Sequence, residues 1–144
     1  MKVDRVLRIG VLTDDLEKTM EHYKNFGFEN WLTVDFDLSL IPVLHVVDSD
    51  EQVNFKGAMY DDEYIHMEIL QPMCEGVFMD WVKAHGTGVH HIEMRPVGDF
   101  DEFANECQDK GYKVSVKVMT EDRSEGFIYF NTFKELGFNI EIHK

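Results

Sequence analysis

Two parts of the chain show the same succession of patterns, a strand-like segment followed by an amphipathic helix. Residues 3–12 alternate imperfectly between apolar and polar positions, and a similar segment begins at Val89. Gly27 and Gly111 follow the two helical patterns, as is typical of helix C-termini. The apolar positions at helical spacing are Leu16, Met20, Tyr23 and Phe26 in the first part and Phe100, Phe103, Ala104 and Cys107 in the second. The chain therefore contains a weak internal repeat.

Both helices have a recognisable start. Asp14 is followed three residues later by Glu17, and Asp99 by Glu102. This spacing is that of a capping box, in which each side chain satisfies a free backbone N–H of the first helical turn. The sequence therefore predicts helices that begin close to Asp14 and Asp99.

Strand-like segments complete each copy. The predicted strands are 28–37, 42–48, 52–60 and 64–71 in the first copy and 112–118, 126–132 and 138–143 in the second. Residues 76–85 carry apolar residues at helical spacing and predict a short helix between the copies. We interpret the chain as an α+β protein of two βαβββ modules. Module one covers about residues 1–74, a linker helix about 75–87, and module two about 88–144, all within a single domain.

Composition narrows the range of functions. The formal net charge of −14 over 144 residues excludes a nucleic-acid partner, because phosphate binding needs a basic surface, and it disfavours an anionic membrane. A soluble, charged surface is the simpler explanation of the acidity. Neither a signal peptide nor a stretch of transmembrane length is present, so we expect a cytoplasmic protein. Cys74 and Cys107 have no metal-binding or redox spacing, and we interpret both as reduced.

Candidate chemistry lies at equivalent places of the repeat. Each copy closes on a strand that carries one acid among apolar residues, Glu68 in the first and Glu141 in the second. The first strand of each copy carries Arg8 and His91 at matching positions. Taken singly, these residues fit a solvent-facing acid or a structural histidine. Related by a pseudo-twofold axis, however, all four would meet at one point, and this favours a shared site.

The types of residue indicate what such a site could bind. Carboxylate oxygens and an imidazole nitrogen suit a divalent ion such as Zn, Ni, Co, Mn or Mg. The residues are scattered along the chain, so no local spacing establishes the site. On the strand of Glu68, His66 shares its face and is a further candidate for substrate binding.

Several motifs, in this order along the chain, resemble the vicinal oxygen chelate superfamily, which includes glyoxalase I, methylmalonyl-CoA epimerase, extradiol dioxygenases and bleomycin-resistance proteins. The motifs are Ile9–Val11, Asp15–Lys18 with Tyr23, Met67–Pro72, Gly88–Ile92 and Leu136–Glu141. Gly88–Ile92 especially resembles methylmalonyl-CoA epimerases. The resemblance spans essentially the whole chain and implies a glyoxalase-like fold, in which two βαβββ modules form a mixed, cupped sheet.

The resemblance also implies a metal site. Glu68, His91 and Glu141 match three ligand positions, but the metal-binding members have a histidine where this chain has Arg8. A guanidinium stays protonated and cannot be a ligand. Arg8 would either pair with Glu68 and Glu141 in place of a metal or bind an anionic group of a substrate. A replacement ligand would be His66 or His143. This departure favours an altered or metal-free site.

Two functions remain open after the resemblance. The first is an isomerase, epimerase or lyase that abstracts a proton next to a carbonyl of a small molecule, with Glu141 or Glu68 as the base. The second is a metal-free binding protein like the drug-sequestering members, with Trp31, Phe36, Phe55 and Trp81 as candidates to line its cleft. A ring-cleaving dioxygenase fits less well, because its iron is bound by two histidines and one carboxylate. A homodimer is implied by the resemblance.

Overall fold

The alternating segments form nine strands in one sheet, and the computed structural model describes all residues from 1 to 144. The strands are β1 (Val3–Leu12), β2 (Leu32–Asp37), β3 (Leu44–Val46), β4 (Asn54–Asp61), β5 (His66–Pro72), β6 (Gly88–Pro96), β7 (Lys113–Thr120), β8 (Gly126–Asn131) and β9 (Asn139–His143). The helices are α1 (Leu16–Lys24), α2 (Val77–His85), α3 (Phe100–Asp109) and α4 (Phe133–Leu136). None of the helices has the length and apolar composition needed to span a bilayer.

The strand order is β2-β4-β5-β1-β6-β9-β8-β7-β3. β1 runs parallel to β5 and β6 runs parallel to β9, whereas the two central strands β1 and β6 are antiparallel. The prediction of an α+β fold built on a mixed sheet is therefore confirmed.

The register at the centre of the sheet brings the candidate residues together. On β1, Gly10 lies opposite Glu68 on one side and opposite His91 on the other. On β6, Glu93 lies opposite Arg8 on one side and opposite Glu141 on the other. At this level of the sheet, β1 lies between β5, which carries Glu68, and β6. Likewise, β6 lies between β1 and β9, which carries Glu141.

A β-bulge interrupts this pairing on β6. The register passes from the pair Gly10 and His91 directly to the pair Val11 and Val89, so His90 has no partner on β1. A bulge of this kind turns the extra side chain away from the strict alternation of a strand. Both His90 and His91 are consequently buried, whereas Val89 is exposed.

The helices cover the sheet with their apolar residues. Leu16 of α1 packs against Ile69, and Phe103 of α3 packs in a cluster with Ile128. Phe78 of α2 belongs to a third cluster that extends to residues of β5, β7 and β8. Burial of these faces removes apolar surface from water and is the main contribution to the stability of the fold.

The ends of the helices agree only in part with the sequence predictions. Asp15, not Asp14, caps α1, and its side chain accepts a hydrogen bond from the Lys18 backbone N–H. Phe26 is 85% exposed, because α1 ends at Lys24 and Phe26 lies in the turn that follows. At the start of α3, Asp99 accepts a hydrogen bond from the Glu102 N–H, and this predicted N-cap is confirmed.

The predicted strand 42–48 is shorter than expected and lies elsewhere. Only Leu44–Val46 is a strand, and it pairs with β7 of the second half rather than with its neighbours in sequence. A proline cannot donate a ladder hydrogen bond, so Pro42 keeps the preceding residues out of the sheet.

The hairpin loop between β7 and β8 depends on one carboxylate. Asp122 accepts hydrogen bonds from the Ser124 hydroxyl and backbone N–H and from the Thr120 hydroxyl. Together they lower the pKa of Asp122 from 3.8 to about 2.

Because the pKa of Asp122 is lowered in the folded protein, its contribution to the stability of the fold exists above pH 3.8 and is lost as the pH falls toward 2. We expect the difference in Tm between the wild-type protein and D122N to disappear over this interval, and thermal unfolding across pH measures it.

Candidate active site

Three side chains converge where the central strands meet. The Glu68 Oε1 atom lies 2.8 Å from the His91 Nε2 atom, and the Glu141 Oε2 atom lies 3.3 Å from the same nitrogen. Their potential ligand atoms all lie within 4.8 Å of one another. The structure therefore brings together the three residues that the sequence singled out as metal ligands.

Gly10, which lies opposite His91 and has no side chain, leaves the space that the His91 ring fills. His91 is fully buried, and its imidazole ring occupies the space where a Cβ atom of Gly10 would be. The Tyr129 ring meets the His91 ring edge to face at 5.0 Å between centroids. The His91 Nε2 atom can therefore face Glu68 and Glu141 without displacement of the backbone of β1.

The charges of this group stabilise one another. Burial by itself would lower the pKa of His91, but the nearby carboxylates of Glu141 and Glu68 outweigh it and raise the pKa. Burial would likewise raise the pKa of Glu141, but His91 and a hydrogen bond from His143 lower it. Without a metal ion, the two carboxylates therefore favour the protonated form of His91, and His91 favours the ionised form of Glu141.

A second group of ligand atoms shares Glu141. The His143 Nε2 atom lies 2.9 Å from Glu141 Oε1 and 3.8 Å from Glu93 Oε1. Glu93 is buried, and its burial raises its pKa, helped by the charge of Glu141 and opposed by His143 and Arg8. His143, which the sequence offered as a replacement ligand, and Glu93 both lie at the site.

Arg8 does not contact the acids that the sequence assigned to it. Its Nη2 atom donates a hydrogen bond to Asp61 at 3.2 Å, and its Nη1 atom lies 3.6 Å from Glu93 Oε2. Of the two roles considered for Arg8, pairing with Glu68 and Glu141 does not occur, because the register places Glu93 directly opposite Arg8, and a role in binding an anionic group stays a prediction. Glu93 and Asp61 thus offset the positive charge that would otherwise repel a cation.

His66 does not line the cavity that Glu68 and Glu141 line. Its Nδ1 atom is 2.8 Å from Asp61 Oδ1, and its side chain is half exposed. Asp61 therefore connects Arg8 and His66 at the rim. A substrate contact by His66 would have to be made there.

Glu68 and Glu141 line a cavity of about 430 Å³, whereas the fully buried His91 does not. The polar and charged lining residues are Arg8, Asp35, Glu68, Glu93, Glu141 and His143, and the apolar and aromatic lining residues are Val34, Phe36, Phe55, Met59, Leu70, Phe127 and Tyr129. A ligand with a polar end and an apolar body would match this arrangement.

The aromatic residues of the cavity were only partly predicted. Phe36 and Phe55 line it as expected, but Trp31 packs against Tyr23 and Tyr60 instead. Trp81 does not line the cavity either, and it stacks on His85. The sequence analysis missed Phe127 and Tyr129, although their two-residue spacing on β8 puts both side chains on one face.

The relationship of this chain to known proteins agrees with the fold and the site. A model of the Glyoxalase/Bleomycin resistance protein/Dioxygenase superfamily matches residues 8–130. The chain belongs to this superfamily. The match begins at Arg8 and ends before β9, so the place of Glu141 in the site of this superfamily member depends on the geometry described above.

Solved structures with the same fold cover nearly the whole of this superfamily member. A variant of Streptomyces coelicolor methylmalonyl-CoA epimerase in complex with 2-nitronate-propionyl-CoA has 24% identity and a TM-score of 0.62, and the match covers 99% of this chain and 97% of that one. The methylmalonyl-CoA epimerase of Mycobacterium tuberculosis has 17% identity and a TM-score of 0.63 over 98% and 87%. A hypothetical protein from Bacillus halodurans has 16% identity and a TM-score of 0.60, and the match covers 96% of this chain and 92% of that one. Among curated protein sequences, none is similar enough to count as a match.

Proposed function

We propose that the protein is an isomerase or epimerase that moves a proton at the carbon next to a carbonyl, at a site that binds a divalent cation. The observation that carries this proposal is the Glu141 Oε2 atom. It is buried, it has no hydrogen bond of regular geometry, and its neighbour His91 Nε2 lies 3.3 Å away. It also lies within 4.8 Å of the ligand atoms of Glu68 and His91. A buried carboxylate oxygen without a well-formed hydrogen bond is costly, and a cation would satisfy it.

The residues present suit a divalent ion. Glu68 and Glu141 supply oxygen atoms and His91 supplies a nitrogen atom, a set that the ions Zn, Ni, Co and Mn accept. His143 donates to the other carboxylate oxygen of Glu141 and so orients the ligand. Arg8 supplies no ligand, which leaves the remaining coordination positions for the substrate and water.

The side chains around the ion would divide the work. A bound divalent cation would polarise the carbonyl oxygen and stabilise the enolate charge. Glu68 lines the cavity and its side chain is partly exposed, whereas Glu141 is almost wholly buried. Glu68 is therefore the better candidate to move the proton, and Glu141 the better candidate to hold the ion. The aromatic body of the cavity would exclude water from the reacting carbon.

Exchange of the reacting proton with solvent tests this proposal. The protein, loaded with Co, Ni, Mn or Zn, is incubated in D2O with methylmalonyl-CoA and with other 2-substituted acyl-CoA thioesters, and the α-proton signal is followed by NMR. We expect loss of that signal, slowed in E68Q by about 100-fold or more, as is usual when an acid–base group is removed. H45A, which changes an exposed residue of β3, is the matched control. Metal-loaded protein that exchanges none of these protons would contradict the proposal.

A metal-free binding protein is the second candidate. It is supported by His91, which lies within 3.3 Å of both carboxylates and, when protonated, can replace a cation. The aromatic lining of the cavity would bind an apolar ligand. Metal content per chain, measured by elemental mass spectrometry after incubation with each ion, separates the two. Stoichiometric metal that is lost in E141Q supports the first candidate, and absence of metal supports the second.

The identity of residue 8 should control affinity for the ion. In the metal-binding members that this chain resembles, a histidine occupies the position of Arg8. We expect R8H to bind Co or Ni more tightly than the wild-type protein, on the order of tenfold or more, because a ligand replaces a positive charge. R8Q removes the charge without adding a strong ligand and should lie between the two. Isothermal titration measures the affinities, and equal binding by R8H and R8Q would contradict a ligand role at this position.

A further inference from the structure

His90 occupies an unusual place beside the candidate ligands. It is the extra residue of the β6 bulge and is only 5% exposed. Its ring is enclosed by aromatic rings, with Phe78 at 5.4 Å, Trp81 at 5.1 Å and Tyr129 at 6.0 Å between centroids. Neither group of potential metal ligands includes His90. Its burial therefore needs a different explanation.

The one polar contact of His90 is to its neighbour. The Nδ1 atoms of His90 and His91 lie 2.9 Å apart, a distance that requires one proton between them. In a regular strand the two side chains would point to opposite faces, so the bulge is what makes this contact available. The hydrogen bond is thus a consequence of the register of β1 and β6.

The direction of this hydrogen bond follows from the other side of the His91 ring. The His91 Nε2 atom faces Glu68 Oε1 at 2.8 Å. A cation at this point would need the Nε2 lone pair, and a neutral imidazole that offers Nε2 must carry its proton on Nδ1. With a cation at this point His91 therefore donates from Nδ1, and the Nδ1 atom of His90 must accept.

We infer that His90 is a positioning residue, whose Nδ1 atom accepts the Nδ1–H of His91 and fixes the His91 ring with Nε2 toward Glu68 and Glu141. The aromatic enclosure keeps His90 suited to this role. Apolar rings on several sides disfavour a charge on His90, so its Nδ1 lone pair is available to accept. The effect on cation binding rests on the proposed function, whereas the hydrogen bond itself does not.

Metal affinity tests the first part of this inference. In H90N the amide oxygen takes the place of Nδ1 and can still accept, whereas H90F keeps a ring of similar size without an acceptor. We expect H90F to bind Co or Ni about 10- to 100-fold more weakly than the wild-type protein, the usual effect of losing the partner of a ligating histidine. H90N should restore most of the affinity. F78L, which removes a ring that packs against His90, Phe55 and Tyr129 but leaves the hydrogen bond of His90 in place, should lower the Tm with little effect on affinity. Equal affinities in H90F and the wild-type protein would overturn the inference.

The protonation of the rings tests the inference without any metal. In chelator-treated wild-type protein labelled with ¹⁵N-histidine and measured near pH 6, below the ordinary pKa of a histidine, long-range ¹H–¹⁵N correlations distinguish protonated from unprotonated ring nitrogens. We expect a proton on Nδ1 of His91 and none on Nδ1 of His90. The opposite arrangement would overturn the inference. If the wild-type protein binds none of the ions, the proposed cation site fails, but this measurement still decides the role of His90.

Discussion

Replacement of Gly10 by alanine is expected to displace His91 and to weaken both the fold and the site. The new Cβ atom would overlap the His91 imidazole ring, which is fully buried and has no room to retreat. Overpacking of a core usually costs about 1–3 kcal/mol of unfolding free energy. We expect a loss of at least this size in G10A by urea denaturation, together with weaker binding of Co or Ni.

The control for this prediction uses the same ring. In an H91A background the space opposite residue 10 is open, so G10A should cost much less there, and a double-mutant cycle measures the difference. G88A offers a second comparison, because a Cβ atom on Gly88 would meet Trp81 only at an ordinary contact distance of 3.5 Å. Equal costs of G10A in the two backgrounds would show that His91 does not occupy this space.

Removal of His91 from chelator-treated protein is expected to have the largest effect on stability. H91A removes the counter-charge of Glu68 and leaves the buried carboxylate of Glu141 with His143 alone. Breaking a buried ion pair by removing one partner typically costs about 3–5 kcal/mol. We expect a loss of this order near pH 6, measured by urea denaturation. H45A, at an exposed histidine, should leave the stability nearly unchanged.

The effect of H91A should depend on pH in a defined direction. The pKa of His91 is raised, so its stabilisation is fully present below 6.5 and is lost as the pH rises through the raised value. The pKa of Glu141 is lowered, so its stabilisation is present above 4.5 and is lost as the pH falls through the lowered value. The difference between the wild-type protein and H91A should therefore be greatest from about pH 4.5 to 6.5. A difference that is constant from pH 4 to 9 would contradict the ion pair.

Much of the site could be predicted because the chain repeats a pattern. Glu68 and Glu141 occupy equivalent strands, and His91 lies on the first strand of the second copy. The structure places these three residues within contact of one another. The positions came from local periodicity and from family motifs, which a single sequence carries. The same signals predicted the α3 N-cap at Asp99 and most of the strands.

Other parts of the site could not be predicted because they depend on register. Arg8 contacts Glu93 rather than Glu68 or Glu141, since antiparallel pairing of the central strands places Glu93 opposite it. Sequence alternation gives the face of a residue but not its partner on another strand. Similarly, the contact between His90 and His91 depends on the bulge in β6, and no residue pattern in β6 predicts a bulge there.

By itself, therefore, the sequence determined the α+β fold, the superfamily and the three converging residues Glu68, His91 and Glu141, because periodicity, capping and motifs are properties of neighbouring residues. The tertiary structure alone decided the partners of Arg8, the burial of Glu93 in the cavity and the contact between the Nδ1 atoms of His90 and His91. The physical reason is that these contacts join strands far apart in the chain, where one residue of shift in register changes every pair.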